Sequence, residues 1–193
     1  MKKIVVINGH PNKESFNTVI ADSYISSAIN SGSEVRYIAI GELHFNPNLQ
    51  FGYQQRMELE PDLVKALEDI QWSEHQVWIH PLWWLGMPAV MKGFFDRAFL
   101  PGIAFKSNKK GPSEGLLNSK SGRIITTAGD LSITVYEEEY RSSGLVQLQK
   151  GILEYCGVSS ITNHFIGPLY ELSEEDRKGW LNKIKDMAVL DSI

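Results

Sequence analysis

The chain has 193 residues, 42% hydrophobic and 22% charged, with 19 basic and 23 acidic side chains giving a net charge of -4. These values describe one soluble domain over residues 1–193 with a well-filled core, and they exclude a fibre, a disordered tail and a small stapled scaffold. No Lys/Arg cluster is dense enough to track a phosphate backbone, which argues against nucleic acid as a partner.

The single Cys156 has no intramolecular partner and reads as a buried, inert thiol. The apolar run from Ile4 stops at Asn8-Gly9, too early for a secretory signal. Leu82 to Met91 is about half the ~20 residues a spanning helix needs, and it holds Gly86 and Pro88. The expectation is a cytoplasmic protein without an integral membrane segment.

Lys3 to Ile7 is a continuous β-branched run, of the kind buried on both faces of a parallel sheet. Ser15 or Asn17 can cap a helix through about Ser31, and Glu34 to Ile40 is the next strand. Pro61 opens a helix with an apolar stripe of Leu63, Val64, Leu67 and Ile70, ending near Trp72. Gln76 to Ile79 returns as a strand, Pro88 to Ala98 as a short helix, and Arg123 to Thr127 as the fourth strand. Glu138 to Tyr155 reads as one helix weakened at Gly151, and Ile161 to Phe165 as a fifth strand. Ser173-Glu174-Glu175-Asp176 opens the last helix with a capping-box pattern.

This alternation predicts a three-layer α/β domain with a mainly parallel sheet and right-handed crossovers. Gly41 to Glu60 and Gly102 to Gly122 lack clear structure of their own. Loops of that length are commonly binding loops or lids, and plain surface insertions otherwise.

In such a sheet ligands bind at the carboxyl ends of the strands, so the turns after strands one, three and four should share one rim. The first, Asn8 to Thr18, leads into a helix N-terminus, where free N–H groups and the hydroxyl and amide of Ser15 and Asn17 suit a phosphate. His10 either contacts that anion or is a structural imidazole bonded within the turn. Neither a Walker lysine loop nor a dinucleotide glycine triplet is present. The second turn sets Trp83 and Trp84 between prolines. Tryptophans there fill the core or wall a flat ring, and the neighbouring phosphate turn favours the ring. The third, Thr126-Thr127-Ala128-Gly129, offers small residues and two hydroxyls that can stabilise negative charge on a reduced ring. The five histidines show no metal-ligand spacing, and no Gly-x-Ser-x-Gly elbow occurs.

Taken together, Asn8-Gly9-His10-Pro11, Ser15-Phe16-Asn17, Phe45-Asn46-Pro47, Pro81 to Ala89, Lys92 to Arg97 and Thr126 to Gly129 resemble the NAD(P)H quinone oxidoreductases of DT-diaphorase type. The resemblance spans nearly the whole chain. It implies a flavodoxin-like fold, a five-stranded parallel sheet of order 2-1-3-4-5 with helices on both faces. It also implies that His10, Ser15, Phe16 and Asn17 hold flavin phosphates and the ribityl chain. Pro81, Leu82, Trp83, Trp84 and Leu85 would border the ring, and Thr126, Thr127, Ala128 and Gly129 would bond its pyrimidine edge.

The Ser15-Phe16-Asn17 and Phe45-Asn46-Pro47 segments follow the FAD-using pattern, with FMN as the alternative cofactor. The implied activity is a ping-pong, two-electron reduction of a quinone or similar small-molecule acceptor by NAD(P)H, in a homodimer whose second subunit completes the cleft. A one-electron carrier like flavodoxin and a regulatory flavoprotein subunit of a potassium efflux system are the competing readings.

Departures from the family pattern concern the ring site. Leu85 stands where mammalian members carry an aromatic, and paired glycines become Ala128-Gly129. The residues 130–157 contain no histidine, so Tyr136 is the candidate catalytic donor, a surface tyrosine being the plain alternative. Trp84 and Phe105 are the candidate substrate contacts, and Lys109-Lys110 would attract a nicotinamide phosphate or remain a solvated pair.

Overall fold

A computed structural model describes residues 1–108 and 111–193. Its central sheet has five parallel strands: β1 (Lys3–Asn8), β2 (Glu34–Ala39), β3 (His75–Pro81), β6 (Ser121–Thr127) and β7 (Ile161–Ile166). Their order, β2-β1-β3-β6-β7, is the expected 2-1-3-4-5 pattern once two short strands are set aside. Those two, β4 (Phe105–Lys106) and β5 (Glu114–Gly115), form an antiparallel ladder within the long 102–122 segment, whose sequence shows no strand pattern. Lys109 and Lys110 lie outside the described residues.

Alternation along the strands sets the two core faces. Val5, Ile7, Trp78 and Ile124 point toward α2 (Pro61–Trp72) and α3 (Ala89–Ala98), against Leu63, Ile70, Met91 and Phe94. Ile4, Val6, Val77, Ile79 and Ile125 point the other way, toward α1 (Phe16–Asn30) and α6 (Glu174–Asp191). Ile4, Val5, Val6 and Ile7 are all fully buried, each contributing about 1.5–3 kcal/mol of transfer free energy. This double coverage is why β1 reads as an unbroken apolar run.

Helix ends follow their local chemistry. Ser15 caps α1 by accepting from the Thr18 N–H, so Asn17 lies inside the first turn and is no cap. Pro61 starts α2, and the Ser173–Asp176 capping box starts α6.

The single helix expected over 138–155 is corrected. The chain forms α4 (Ile133–Glu138), α5 (Ser143–Val146) and a wider-turn segment, Gln147–Glu154, that contains Gly151. Between α4 and α5, Arg141 and Ser142 both take φ of 50°, which ends a right-handed helix. The break lets Gly144 approach the turn after β3, where any Cβ would lie 2.4 Å from the Leu85 carbonyl oxygen. Only glycine fits there.

Candidate functional site at the carboxyl ends of the strands

Three turns meet on one rim, joined by backbone hydrogen bonds. The Gly9 N–H donates to Ile79 O at 2.8 Å, linking the first turn to β3. The Leu82 N–H donates to Thr127 O at 2.7 Å, linking the second turn to the third. The Ala128 N–H reaches Ile166 O at 2.9 Å and fixes the third turn to β7.

In the first turn the Asn8 side chain organises its neighbours. Its Oδ1 accepts from the His10 N–H at 3.0 Å, while its amide donates to Thr18 Oγ1 at 3.1 Å and to the Tyr37 hydroxyl at 3.3 Å. His10 Nδ1 lies 3.0 Å from both the amide nitrogen and the carbonyl oxygen of Asn12, so the imidazole is bonded within the turn. Partial burial lowers its pKa despite that backbone contact. The His10 ring also meets the Trp83 ring edge-on, with centroids 5.4 Å apart. Phe16 packs against the α1/α6 core, with the Arg177 guanidinium over its ring at 5.2 Å.

Asn17 is 2% exposed. Its Oδ1 accepts from the Thr127 hydroxyl at 2.9 Å, and its buried Nδ2 has no partner. A buried amide donor without an acceptor is costly, about 1–3 kcal/mol, and asks for a bound acceptor oxygen. The chemistry of this turn therefore fits the phosphate or ribityl oxygens of a flavin.

The second turn is tighter than its sequence suggests. Trp83 and Gly86 exchange N–H···O bonds of 2.9 and 3.0 Å, and the residues between them, Trp84 and Leu85, both have left-handed φ of 51° and 60°. This is a type I′ geometry, normally built from Asn and Gly, and two bulky residues in it store strain of about 1–3 kcal/mol each. The core-filler reading of the tryptophans is corrected: Trp83 is 45% exposed and Trp84 is fully exposed. Pro81 and Leu82 are buried, and Leu85 is half-buried against the Leu82, Ala128 and Tyr136 cluster.

Behind these turns lies His80, fully enclosed and missed by the sequence reading because a lone histidine in a strand carries no pattern. Its Nδ1–H donates to Pro81 O at 3.0 Å, and its Nε2 accepts from the Thr126 hydroxyl at 3.3 Å. Burial lowers its pKa to about 4, so the imidazole is neutral at pH 7.

The third turn is covered from one side. Residues after β7 fold over it, with the Leu169 and Tyr170 N–H groups donating to Ala128 O and Gly129 O at 2.8 and 2.9 Å. A Cβ on Gly129 would lie 2.9 Å from the Tyr170 ring, so Tyr170 lies directly over the third turn. Tyr170 is itself 83% exposed on the rim. Its only sequence signal was an aromatic after Gly167-Pro168, far from any of the three turns.

The surface-tyrosine alternative for Tyr136 is corrected as well, since Tyr136 is 2% exposed. Its ring stacks on Phe165 with centroids 5.1 Å apart, and its hydroxyl accepts from the Leu145 N–H at 2.9 Å. It packs with Leu82 and Ala128, one layer behind the rim. Burial raises its pKa, so it is a neutral phenol at pH 7.

Phe105 lies apart from the three turns, edge-on to Tyr155 at 5.1 Å, in a groove of about 420 Å³. Gln147, on the wall of that groove, comes within 3.8 Å of the Cβ position of Gly86, so the groove adjoins the second turn.

Among the described residues no group of three His, Cys, Asp or Glu is placed to hold a metal, and no helix is long and apolar enough to cross a membrane.

A family profile described as a flavodoxin-like fold matches residues 2–187. The chain belongs to that flavodoxin-like family. Within it, an uncharacterized NAD(P)H oxidoreductase of Haemophilus influenzae is 28% identical over 182 residues, covering 92% of this chain and 89% of its own length. The rat NAD(P)H dehydrogenase [quinone] 1 is 22% identical over 214 residues, covering 96% and 77%. Among solved flavodoxin-like structures, Smu.1420 from Streptococcus mutans superposes with a TM-score of 0.78 at 29% identity, covering 98% of this chain and all of that one. The resemblance to the quinone oxidoreductases, drawn from the three turns together with Phe45 to Pro47 and Lys92 to Arg97, agrees with these relatives.

Proposed function

We propose that the protein is a flavin-dependent NAD(P)H oxidoreductase that delivers two electrons, in ping-pong fashion, to a quinone or a similar small acceptor. The observation that carries this reading is the unpartnered, buried Asn17 Nδ2 at the rim where the phosphate turn, the tryptophan turn and the threonine turn converge. FAD is the proposed cofactor, with FMN as the alternative. When bound, the flavin supplies the electron-storing ring, and hydride chemistry belongs to it rather than to the protein.

The chain's own residues would bind, orient and exclude. Ser15 and Asn17 would hold the phosphate and ribityl oxygens, with the α1 N-terminus and His10 beside them. Pro81, Leu82 and Leu85 would form the ring's floor, while Trp83 and Trp84 offer flat faces against which a planar donor or acceptor can lie. Thr126, Thr127, Ala128 and Gly129 would line the polar edge of the ring, and with the two hydroxyls and the Ala128 N–H already donating to His80, Asn17 and Ile166, the Gly129 N–H would be the donor there. Tyr136, whose hydroxyl accepts from the Leu145 N–H and keeps its own O–H to donate, is the proposed catalytic donor, set behind Leu82 and Ala128. The groove of Phe105 is the proposed acceptor side, completed by a second subunit in a cytoplasmic homodimer.

The deciding experiment is a visible spectrum of the purified protein, followed by acid release and mass of the bound chromophore. NAD(P)H oxidation with a simple quinone comes next. A yellow protein that turns over NAD(P)H only when the quinone is present supports the reading. A colourless protein that takes up neither FAD nor FMN on reconstitution overturns it. A flavin-loaded protein with no NAD(P)H turnover overturns the enzyme and favours a carrier or regulatory flavoprotein.

A further inference from the structure

We propose that His80 is a positioning residue for the ring site, holding the third turn in place through the Thr126 hydroxyl. The inference rests on the flavin reading of the rim and adds to it a residue enclosed behind the turns. His80 belongs to β3 and is 1% exposed. Its Nδ1 lies 3.0 Å from Pro81 O, and a carbonyl oxygen can only accept, so the ring proton sits on Nδ1. Nε2 is then a bare acceptor, and the Thr126 hydroxyl at 3.3 Å must donate to it.

One side chain thereby meets all three turns. It bonds Pro81, which opens the second, and Thr126, which opens the third. A Cβ at Gly9 would lie 3.3 Å from the His80 Cβ, so the first turn packs on the same residue. Strand register sets this geometry, because His80 pairs with Thr126 across the β3/β6 ladder and Pro81 pairs with Thr127.

Successive side chains of a strand point to opposite faces. Thr127 donates to Asn17 Oδ1 on the α1 side, and Thr126 donates to His80 on the α3 side. The third turn is therefore pinned from both faces of the sheet, and Thr127 is the residue that orients the Asn17 amide. Removing the His80 acceptor leaves a buried hydroxyl donor unpaired. Any backbone adjustment that relieves it at Thr126 carries Thr127, and with it the Asn17 donor. Burial holds the His80 pKa at about 4, so the Nε2 acceptor is present throughout the neutral range.

The test titrates FAD, and FMN in parallel, into apo-protein of the native chain and its variants, followed by flavin fluorescence, with the urea midpoint of each protein measured alongside. His80→Leu should weaken flavin binding about tenfold, and His80→Gln, whose amide can take both bonds, should stay within about threefold of the native chain. Thr126→Val should lose about as much as His80→Leu, and the double variant no more than either alone, because both changes remove one bond. If His80→Leu does not fold, Thr126→Val reads the same bond from its other end, alone and in the His80→Gln background. Losses that add in the double variant, a His80→Gln variant as weak as His80→Leu, or a lowered urea midpoint with flavin affinity unchanged each overturn the proposal. A native chain that takes up neither flavin overturns the reading of the rim and this inference together. Flavin bound as tightly by His80→Leu or Thr126→Val as by the native chain overturns this inference alone.

Discussion

The Thr127 hydroxyl donates to the Asn17 side-chain oxygen at 2.9 Å, joining residues 110 positions apart in the chain. That bond fixes which way round the Asn17 amide sits. With the oxygen taken, the Nδ2 donor is the group left free for a ligand oxygen. The two residues therefore act as a unit, one holding the donor that the other orients.

Asn17→Leu should weaken flavin affinity by tenfold to a hundredfold, about 1.4–2.7 kcal/mol, because it removes the buried donor. Thr127→Val should weaken it less, since Asn17 remains but is no longer held. Titration of apo-protein by quenching of flavin fluorescence measures both. Equal affinity in Asn17→Leu and the native chain would remove the phosphate assignment.

The strained turn makes a different prediction. Replacing Trp84-Leu85 by Asn-Gly suits left-handed φ at both positions and should raise stability by about 1–2 kcal/mol. The same change removes an exposed indole from the ring site, so kcat/KM for a quinone should fall at least tenfold. Urea unfolding and steady-state kinetics on the same preparation check the pair of outcomes. A variant that is less stable than the native chain would show that the turn is not strained.

His80 predicts how stability responds to acid. Burial lowers its pKa to about 4 in the folded chain, whereas an unfolded histidine titrates near 6.5. Below pH 6.5 the unfolded state binds the extra proton, so stability falls as pH drops from about 6.5 toward 4. The loss from this residue is about 2.5 kcal/mol by pH 4.5. His80→Gln should flatten that slope while retaining a donor and an acceptor. Denaturant midpoints at pH 7 and pH 4.5 in both proteins make the comparison, and an unchanged slope in the variant would refute it.

Near the amino ends of the interior strands β3 and β6, Asp191 anchors the end of α6. Its carboxylate accepts from Arg123 Nε and Nη2 at 2.6 and 2.7 Å and from the Tyr24 hydroxyl at 2.6 Å, with His75 Nε2 at 3.3 Å. Burial alone would raise its pKa, but Arg123, His75 and Tyr24 together hold it far below the ordinary carboxylate range. Its contribution is therefore present above about pH 4 and lost as pH falls toward that lowered value. Asp191→Asn should cost about 3 kcal/mol at pH 7 by leaving Arg123 buried without its anion, with Tm lower by roughly 6–12 °C. Differential scanning calorimetry reads this, and a Tm within 2 °C of the native chain would contradict it.

The strands and most helix ends were legible because each has a local cause. The β-branched runs, Ser15, Pro61 and the Ser173–Asp176 box act over a few residues. The break near Arg141 was hidden because it answers a distant contact, the fit of Gly144 against Leu85, and residues 138–155 carry a helical pattern without it. The three turns could be read from their donors and rings. Tyr170 and His80 could not, since one arrives from after β7 and the other lies in a strand whose pattern says only that it is buried. The bonds from Arg97 to Asn46, Glu58 and Glu60 tie together residues across the 41–60 loop, a pairing that no periodicity records.

Cys156 is 2% exposed, and burial pushes its thiol up to about 12. At neutral pH it is almost wholly protonated and shielded, so maleimides and iodoacetamides should pass it by. A spectroscopic tag can then be attached through one engineered surface cysteine, for example at Tyr53 or Tyr170, without first deleting the natural one.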